Sequence, residues 1–245
     1  MGEARLIKRW ATLTEQPQLE TLQCKVCGFS GSLDKYQIHR VRDIFHAGEL
    51  VRYQCPTCDV IFGDLRFLGL PRDVIGEDYT DLYSYYREGD TTQYLLYVFN
   101  HYCNPDINST YLDYACGQWN THIDILRQRG YKIRGYDKYV SSIEVKTPPD
   151  VQYDCVFTSN FIEHVIDPYA DLKEVVDLVK PGGLFVAITA CFEYEYAFTH
   201  YHTFFFLGRS ISYLEQGLGL QLIDSVRVQF PDGQHTVVKV FKRLI

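Results

Sequence analysis

Hydrophobic and polar positions along this chain follow two rhythms, and the change between them falls near Asp90. Before it, short runs such as Tyr36 to Val41 and Leu50 to Tyr53 alternate with period two and read as strands. After it, helical and strand-like stretches take turns. Asp90-Thr-Thr-Gln opens a helix through about Cys103, Tyr111 to Asp113 is a short strand, and Trp119 to Arg129 is a helix ended by Gly130. Strands follow at Tyr131 to Tyr136 and Tyr153 to Thr158, then a helix from Pro168 to about Val179, a turn at Pro181-Gly182-Gly183 and a strand from Leu184 to Thr189. Two more strands, Gln221 to Gln229 and Thr236 to Phe241, flank Pro231-Asp232-Gly233. Such alternation predicts an α/β fold, a doubly wound and mostly parallel sheet covered on both faces, with the terminal hairpin supplying an antiparallel strand.

The cysteines divide the chain further. Cys24-Lys-Val-Cys27 and Cys55-Pro-Thr-Cys58 are two C-x2-C pairs, whereas Cys103, Cys116, Cys155 and Cys191 stand singly. Each pair suits a knuckle-like turn that lets two thiolates reach one ion, and two such turns complete a tetrahedral four-sulfur site for a structural zinc. The stretch between the pairs is longer than the commonest spacing of about 15 to 20 residues, which implies a three-stranded ribbon with a long hairpin. Two disulfides, or pairs that bind nothing, are the alternatives. The resulting organisation is a zinc ribbon over 1–63, a bridging segment rich in Gly, Asp and Tyr over 64–89, and the α/β domain over 90–245.

Composition narrows the partners. At 245 residues and 46% hydrophobic, the chain can bury a sizeable core. Its longest apolar run, near Leu184 to Phe192, is under half the roughly 20 residues needed to cross a bilayer, and the residues around Arg5, Lys8 and Arg9 offer no apolar signal core. A cytoplasmic protein without a membrane span is expected. The net charge of -7 disfavours nucleic acid, because a polyanion needs a basic patch and residues 1–60 are nearly balanced in charge.

Open α/β sheets bind ligands beyond the carboxyl ends of their strands, so the turn Leu112-Asp113-Tyr114-Ala115-Cys116-Gly117-Gln118-Trp119 is where a cofactor is expected. A dinucleotide loop wants G-x-G-x-x-G, and its three glycine positions here hold Ala115, Gly117 and Asn120. S-adenosylmethionine carries no phosphate and tolerates a looser turn; it needs a small-residue bend and an acid at the end of the next strand for the ribose hydroxyls. Asp137 sits there.

These blocks, with Tyr153-Asp154-Cys155-Val156-Phe157-Thr158-Ser159-Asn160-Phe161-Ile162-Glu163-His164-Val165 and Leu178-Val179-Lys180-Pro181-Gly182-Gly183, resemble the class I S-adenosylmethionine-dependent methyltransferases, which are Rossmann-like. With the amino-terminal cysteines, the whole chain resembles the small-molecule methyltransferases that carry a zinc-binding region, sugar-modifying and natural-product enzymes among them. The resemblance implies that Asp113, Ala115 and Gly117 surround the methionine moiety, that Asp137 takes the ribose, and that Asn160 and Phe161 lie beside the cofactor. Trp119 replaces the family's third glycine and either stacks on the cofactor or blocks the site. Between Asp137 and Asp154 only 16 residues intervene, so the family's third strand and its helix are truncated or absent.

Methyl transfer is an in-line displacement, in which the protein positions the acceptor and removes its proton where needed. His164 follows the fourth strand in the pair Glu163-His164 and either serves there or caps the turn. The other candidates, His200 and His202, lie in the stretch from Phe192 to Phe206, which contains eight aromatic residues and corresponds to the family's substrate-covering insert. The expectation is that His200 or His202 is the base with His164 behind it, acting on a small polar molecule such as a sugar or sugar nucleotide. An RNA-modifying methyltransferase and a non-catalytic zinc-ribbon scaffold are the rival functions.

Overall fold

The computed structural model describes residues 9, 16–45, 47–86, 89–118, 120–140, 151–230 and 235–244. They fall into two compact units interleaved along the sequence.

The first unit comprises Met1–Tyr86, Glu163–Tyr169 and Ala190–Gln216. Its strands are β1 (Thr21–Gln23), β2 (Ser30–Ser32), β3 (Gln37–Arg42), β4 (Glu49–Gln54) and β5 (Ile61–Gly63). β1 and β2 pair antiparallel around the first cysteine turn, and β3, β4 and β5 form the expected ribbon. Tyr36 ties the two together: its buried phenol donates to the carbonyls of Leu22 (2.7 Å) and Phe29 (3.2 Å) while Phe29, Tyr53 and Phe62 pack edge-on around its ring. The bridging segment is helical, as α1 (Leu65–Leu68) and α2 (Arg72–Tyr85), with Ile75, Tyr79 and Leu82 buried at helical spacing.

The ribbon carries a fourth strand that the sequence did not announce. β10 (Phe204–Phe205), from the aromatic stretch, pairs antiparallel with β5, Phe204 opposite Phe62 and Phe205 opposite Ile61. The boundaries 1–63, 64–89 and 90–245 therefore differ from the observed division: the stretch from Ala190 folds with the amino-terminal region because its three consecutive phenylalanines, all buried, fill the ribbon's apolar face. Arg52 on β4 fixes the path of this stretch. Its fully buried guanidinium donates to the carbonyls of Ala197 (2.6 Å), Thr199 (2.7 Å) and His202 (3.0 Å) and lies 5.1 Å from the Phe205 ring centroid.

The second unit comprises Arg87–Ile162, Ala170–Thr189 and Gly217–Ile245. Its remaining strands are β6 (Thr110–Tyr114), β7 (Lys132–Tyr136), β8 (Tyr153–Ser159), β9 (Val179–Thr189), β11 (Leu220–Gln229) and β12 (His235–Arg243), in the sheet order β11-β12-β9-β8-β6-β7. β7, β6, β8 and β9 run parallel, and β12 is antiparallel to both β9 and β11, as the alternation predicted. Helices α3 (Thr92–Tyr102) and α4 (Thr121–Gln128) pack on the sheet through Leu95, Phe99, Ile123 and Leu126, against Tyr111, Ile133 and Phe157. Gly135 permits the close approach of α4, since a Cβ there would stand 2.6 Å from Ile123 Cδ1. Among the described residues β7 is the sheet edge, and along the sequence no strand falls between it and β8; residues 141–150 lie outside the described set. Helices α5 (Pro168–Val176) and α6 (Ser210–Leu218) complete the chain.

Replacing Arg52 with Leu leaves three carbonyl acceptors, one buried and two part-buried, without this donor. At about 1 to 3 kcal/mol for each buried polar group left unpaired, the variant is expected to lose roughly 3 kcal/mol or more of stability. Denaturant unfolding is the check, and a loss below about 1 kcal/mol would remove the guanidinium from its organising role.

Candidate active site and metal centre

Each half of the four-cysteine cluster is built by the same backbone pattern. Gly28 N donates to Cys24 O (2.9 Å) and Cys24 N to Phe29 O (2.8 Å); in the second turn Asp59 N donates to Cys55 O (3.0 Å) and Cys55 N to Val60 O (2.9 Å). Gly28 and Asp59, at equivalent positions, both have left-handed backbone, φ 76° and 68°. The four sulfurs converge to within 4.8 Å of one another, with Cys24 to Cys58 at 3.7 Å and Cys27 to Cys55 at 3.5 Å. Four sulfurs about 2.3 Å from a central ion in a tetrahedron stand about 3.8 Å apart, so the spacing and the donor type suit zinc. A disulfide would need about 2.05 Å.

In the second unit the carboxyl ends of β6, β7 and β8 bring together most of the residues expected at the cofactor. Ala115 (φ 59°) and Gly117 (φ 66°) make the bend after β6, and Asn160 (φ 49°) makes the one after β8, its N–H donating to Ile188 O (2.8 Å). Asn tolerates the left-handed region and alanine less readily, so Ala115 holds its conformation at some cost. The rings of Tyr136 and Phe161 stand 5.1 Å and 5.3 Å from that of Tyr114. Trp119 lies outside the described residues.

Asp137 is nearly buried and already accepts three backbone N–H bonds, from Gly117 (3.0 Å), Tyr139 (2.8 Å) and Val140 (3.1 Å). A carboxylate has about four lone-pair sites, so two ribose hydroxyls could both donate only if one of these amides gave way. Asp113 is buried too, and its Oδ2 accepts from His122 Nε2 at 2.7 Å. Burial raises the pKa of both acids; His122 opposes the rise at Asp113 and the three amides oppose it at Asp137. Neither acid has a lysine or arginine partner among the described residues, and Asp113 Oδ1, Thr158 Oγ1 and Ser159 Oγ are buried with no hydrogen-bond partner in that set. A group of strand ends this poor in positive charge suits a cationic ligand and repels a pyrophosphate.

The three candidate histidines lie in the first unit, in two different settings. His200 is fully buried; Asp43 accepts from its backbone N–H (2.9 Å) and its Nδ1 (3.1 Å), and Phe67 and Tyr201 pack against the ring at 5.4 Å and 4.0 Å. Enclosed in this way it joins the β3–β4 connection to the aromatic stretch. His202 and His164 come together, ring centroids 4.8 Å apart. His202 Nδ1 donates to Tyr196 O (2.8 Å) and His164 Nδ1 to Tyr201 O (3.0 Å), with Tyr79 Oη 3.0 Å from the same His164 nitrogen. Both rings thereby keep the Nε2 lone pair for a proton. Burial pushes His164 down to about 4 and His202 well below its ordinary value, with His164 adding to the fall at His202. Tyr194 (φ 61°) and Tyr196 (φ 55°) nearby are bulky residues in left-handed conformation, strain of the kind that collects at functional sites. Arg52 and Asp43, which hold this segment, were not candidates in the sequence; a charged residue inside the apolar run Leu50 to Tyr53 was the available signal.

A family model described as a methyltransferase domain matches residues 83–235, well over half of the chain. The chain belongs to the methyltransferase-domain family. No curated protein sequence matches it significantly. Among solved structures, 1,6-didemethyltoxoflavin-N1-methyltransferase of Burkholderia thailandensis is 14% identical with a TM-score of 0.48, over 72% of this chain and 91% of that one. Magnesium protoporphyrin IX methyltransferase of Synechocystis PCC 6803 is 12% identical with a TM-score of 0.49, over 71% and 100% respectively. No helix of the described residues is long and apolar enough to cross a membrane.

The depressed His164 has a consequence for stability. Above about pH 6.5 the ring is neutral folded and unfolded; as pH falls from about 6.5 to about 4 only the unfolded chain takes up the proton, so stability is lost through that window. His164→Gln is expected to flatten this part of a stability-against-pH curve measured by chemical denaturation, and an unchanged slope would contradict the burial of a neutral ring.

Proposed function

We propose that this methyltransferase acts on a small polar acceptor, of the sugar or sugar-nucleotide class taken by the enzymes that its amino-terminal cysteine region resembles, and that His202 and His164 handle the acceptor's proton. The observation that carries the cofactor half is the pair of buried carboxylates, Asp113 and Asp137, without cationic partners among the described residues. S-adenosylmethionine offers an ammonium and a sulfonium, and would supply an electrophilic methyl group. Asp113, Ala115 and Gly117 would hold its amino-acid end and Asp137 its ribose, with Asn160 and Phe161 alongside. Tyr114 and Phe161 add aromatic faces, which favour a sulfonium.

For the acceptor half, two imidazoles are anchored through Nδ1 on backbone carbonyls, which leaves Nε2 as the nitrogen that would take the proton; the burial that keeps both rings unprotonated also makes them weaker bases. His200 would act only by holding the segment that carries His202. The net charge of -7 favours a small acceptor over RNA. The four cysteines Cys24, Cys27, Cys55 and Cys58 would hold one structural zinc, whose four thiolates leave no position for substrate.

Two measurements test this. With an acceptor in hand, His202→Ala or His164→Ala is expected to lower turnover by about 100-fold to 10,000-fold, the usual cost of a general base, with affinity for S-adenosylhomocysteine unchanged. Normal turnover in both would mean that the acceptor reacts already deprotonated. Elemental analysis of protein purified without chelator should find one zinc per chain, and Cys55→Ser should lose it and unfold the ribbon first; metal-free, fully folded protein would rule the zinc out.

A further inference from the structure

The pairing of Asp113 with His122 links two residues of quite different standing. Asp113 lies in the cofactor turn, whereas His122 had no role in the sequence reading and is the second residue of α4, its ring fully enclosed. Nε2 of His122 donates to Asp113 Oδ2 at 2.7 Å. The other polar atom of each side chain, His122 Nδ1 and Asp113 Oδ1, is buried with no hydrogen-bond partner among the described residues. Buried polar atoms in folded proteins are paired in the great majority of cases, and a pair that served only packing would have both ends satisfied. Asp137 stands close enough to act on Asp113 as a second negative charge.

We propose that His122 is a positioning residue for the cofactor's amino-acid end: by occupying Oδ2 it locks the Asp113 carboxylate in one orientation and reserves Oδ1 for the α-ammonium group. The inference rests on the methyltransferase reading above and goes beyond it, since nothing in the cofactor motif calls for a histidine at that helix position. With Oδ2 occupied by the imidazole, Oδ1 is the carboxylate oxygen left to accept from an ammonium group. A lysine or arginine in its place would neutralise the carboxylate and compete with the ligand. Locking the acceptor before binding means that its orientation costs nothing when the ligand arrives.

The test compares two probes on the full chain. S-adenosylhomocysteine carries the amino-acid end; methylthioadenosine has the same nucleoside and thioether without it. Binding of both is followed by ligand-observed NMR, which reads weak affinities, and thermal melting monitors the fold. Loss of a charge-assisted hydrogen bond predicts that His122→Leu weakens S-adenosylhomocysteine by about 10-fold or more and leaves methylthioadenosine within about 2-fold. His122→Gln, whose amide nitrogen reaches the place of Nε2, should bind S-adenosylhomocysteine within about 3-fold of the parent; His122→Asn, which reaches only the place of Nδ1, should resemble His122→Leu. If the leucine variant does not fold, the glutamine and asparagine pair decides. Equal weakening of both probes, or no difference between Gln and Asn, would overturn the positioning role and leave a packing residue. Failure of the parent chain to bind either probe would overturn the methyltransferase reading itself.

Discussion

The first unit depends on one buried cation. Arg52 has no water to turn to, so its guanidinium must be satisfied by the protein, and the acceptors that satisfy it are backbone carbonyls of residues 197, 199 and 202. Carbonyls are held in position only when the chain carrying them has a single path. That requirement converts an aromatic stretch distant in sequence into a fixed element of the ribbon, and the β10–β5 pairing, the Asp43–His200 tie and the Nδ1 anchors of His164 and His202 follow the same path. Burial lowers the pKa of Arg52 while the phenol of Tyr194 and the carboxylate of Asp64 act against the fall. A buried ion stripped of these partners would be strongly destabilising, which is why the segment has so little freedom.

The second unit has the opposite electrostatic character. Where the first places a cation among carbonyls, the second buries two carboxylates and answers them with an imidazole and backbone amides. Elsewhere in the same unit Asp154 shows what an ordinary ion pair does: burial would raise it, yet Lys180 and Thr110 hold it down to about 2. Burial raises Asp113 and Asp137, and neither has a lysine or arginine among the described residues to hold it down. A cationic ligand, as proposed for S-adenosylmethionine, would supply the missing charge.

Much of this was legible in the sequence because the signals were local. Each strand from Thr110 to Arg243 carries its own apolar run, and Gly130 and Pro181-Gly182-Gly183 punctuate them, so the parallel order and the terminal hairpin followed from alternation. The C-x2-C pairs declared their cluster by spacing alone. The pairings that were missed are non-local. A two-residue strand such as β10 has no periodicity to read, and its partner lies about 140 residues away. Ile75, Tyr79 and Leu82 did repeat at helical spacing, but the Gly, Asp and Tyr around them masked α2 as a bridge. His122 looked like one more residue of an amphipathic helix, and His200 like His202, because adjacent imidazoles differ only in what their rings meet. His200 meets Asp43 and a closed aromatic wall; His202 meets a carbonyl and a second histidine.

The central claim is that the carboxyl ends of β6 and β7 form a site for a cationic adenosyl cofactor. Calorimetric titration of the unaltered chain with S-adenosylmethionine and, separately, with NAD tests it most directly. Saturable binding of S-adenosylmethionine at one site per chain, with none of the pyrophosphate-bearing NAD, is the result expected. Folded protein that ignores S-adenosylmethionine at millimolar concentration, or that prefers NAD, would contradict it.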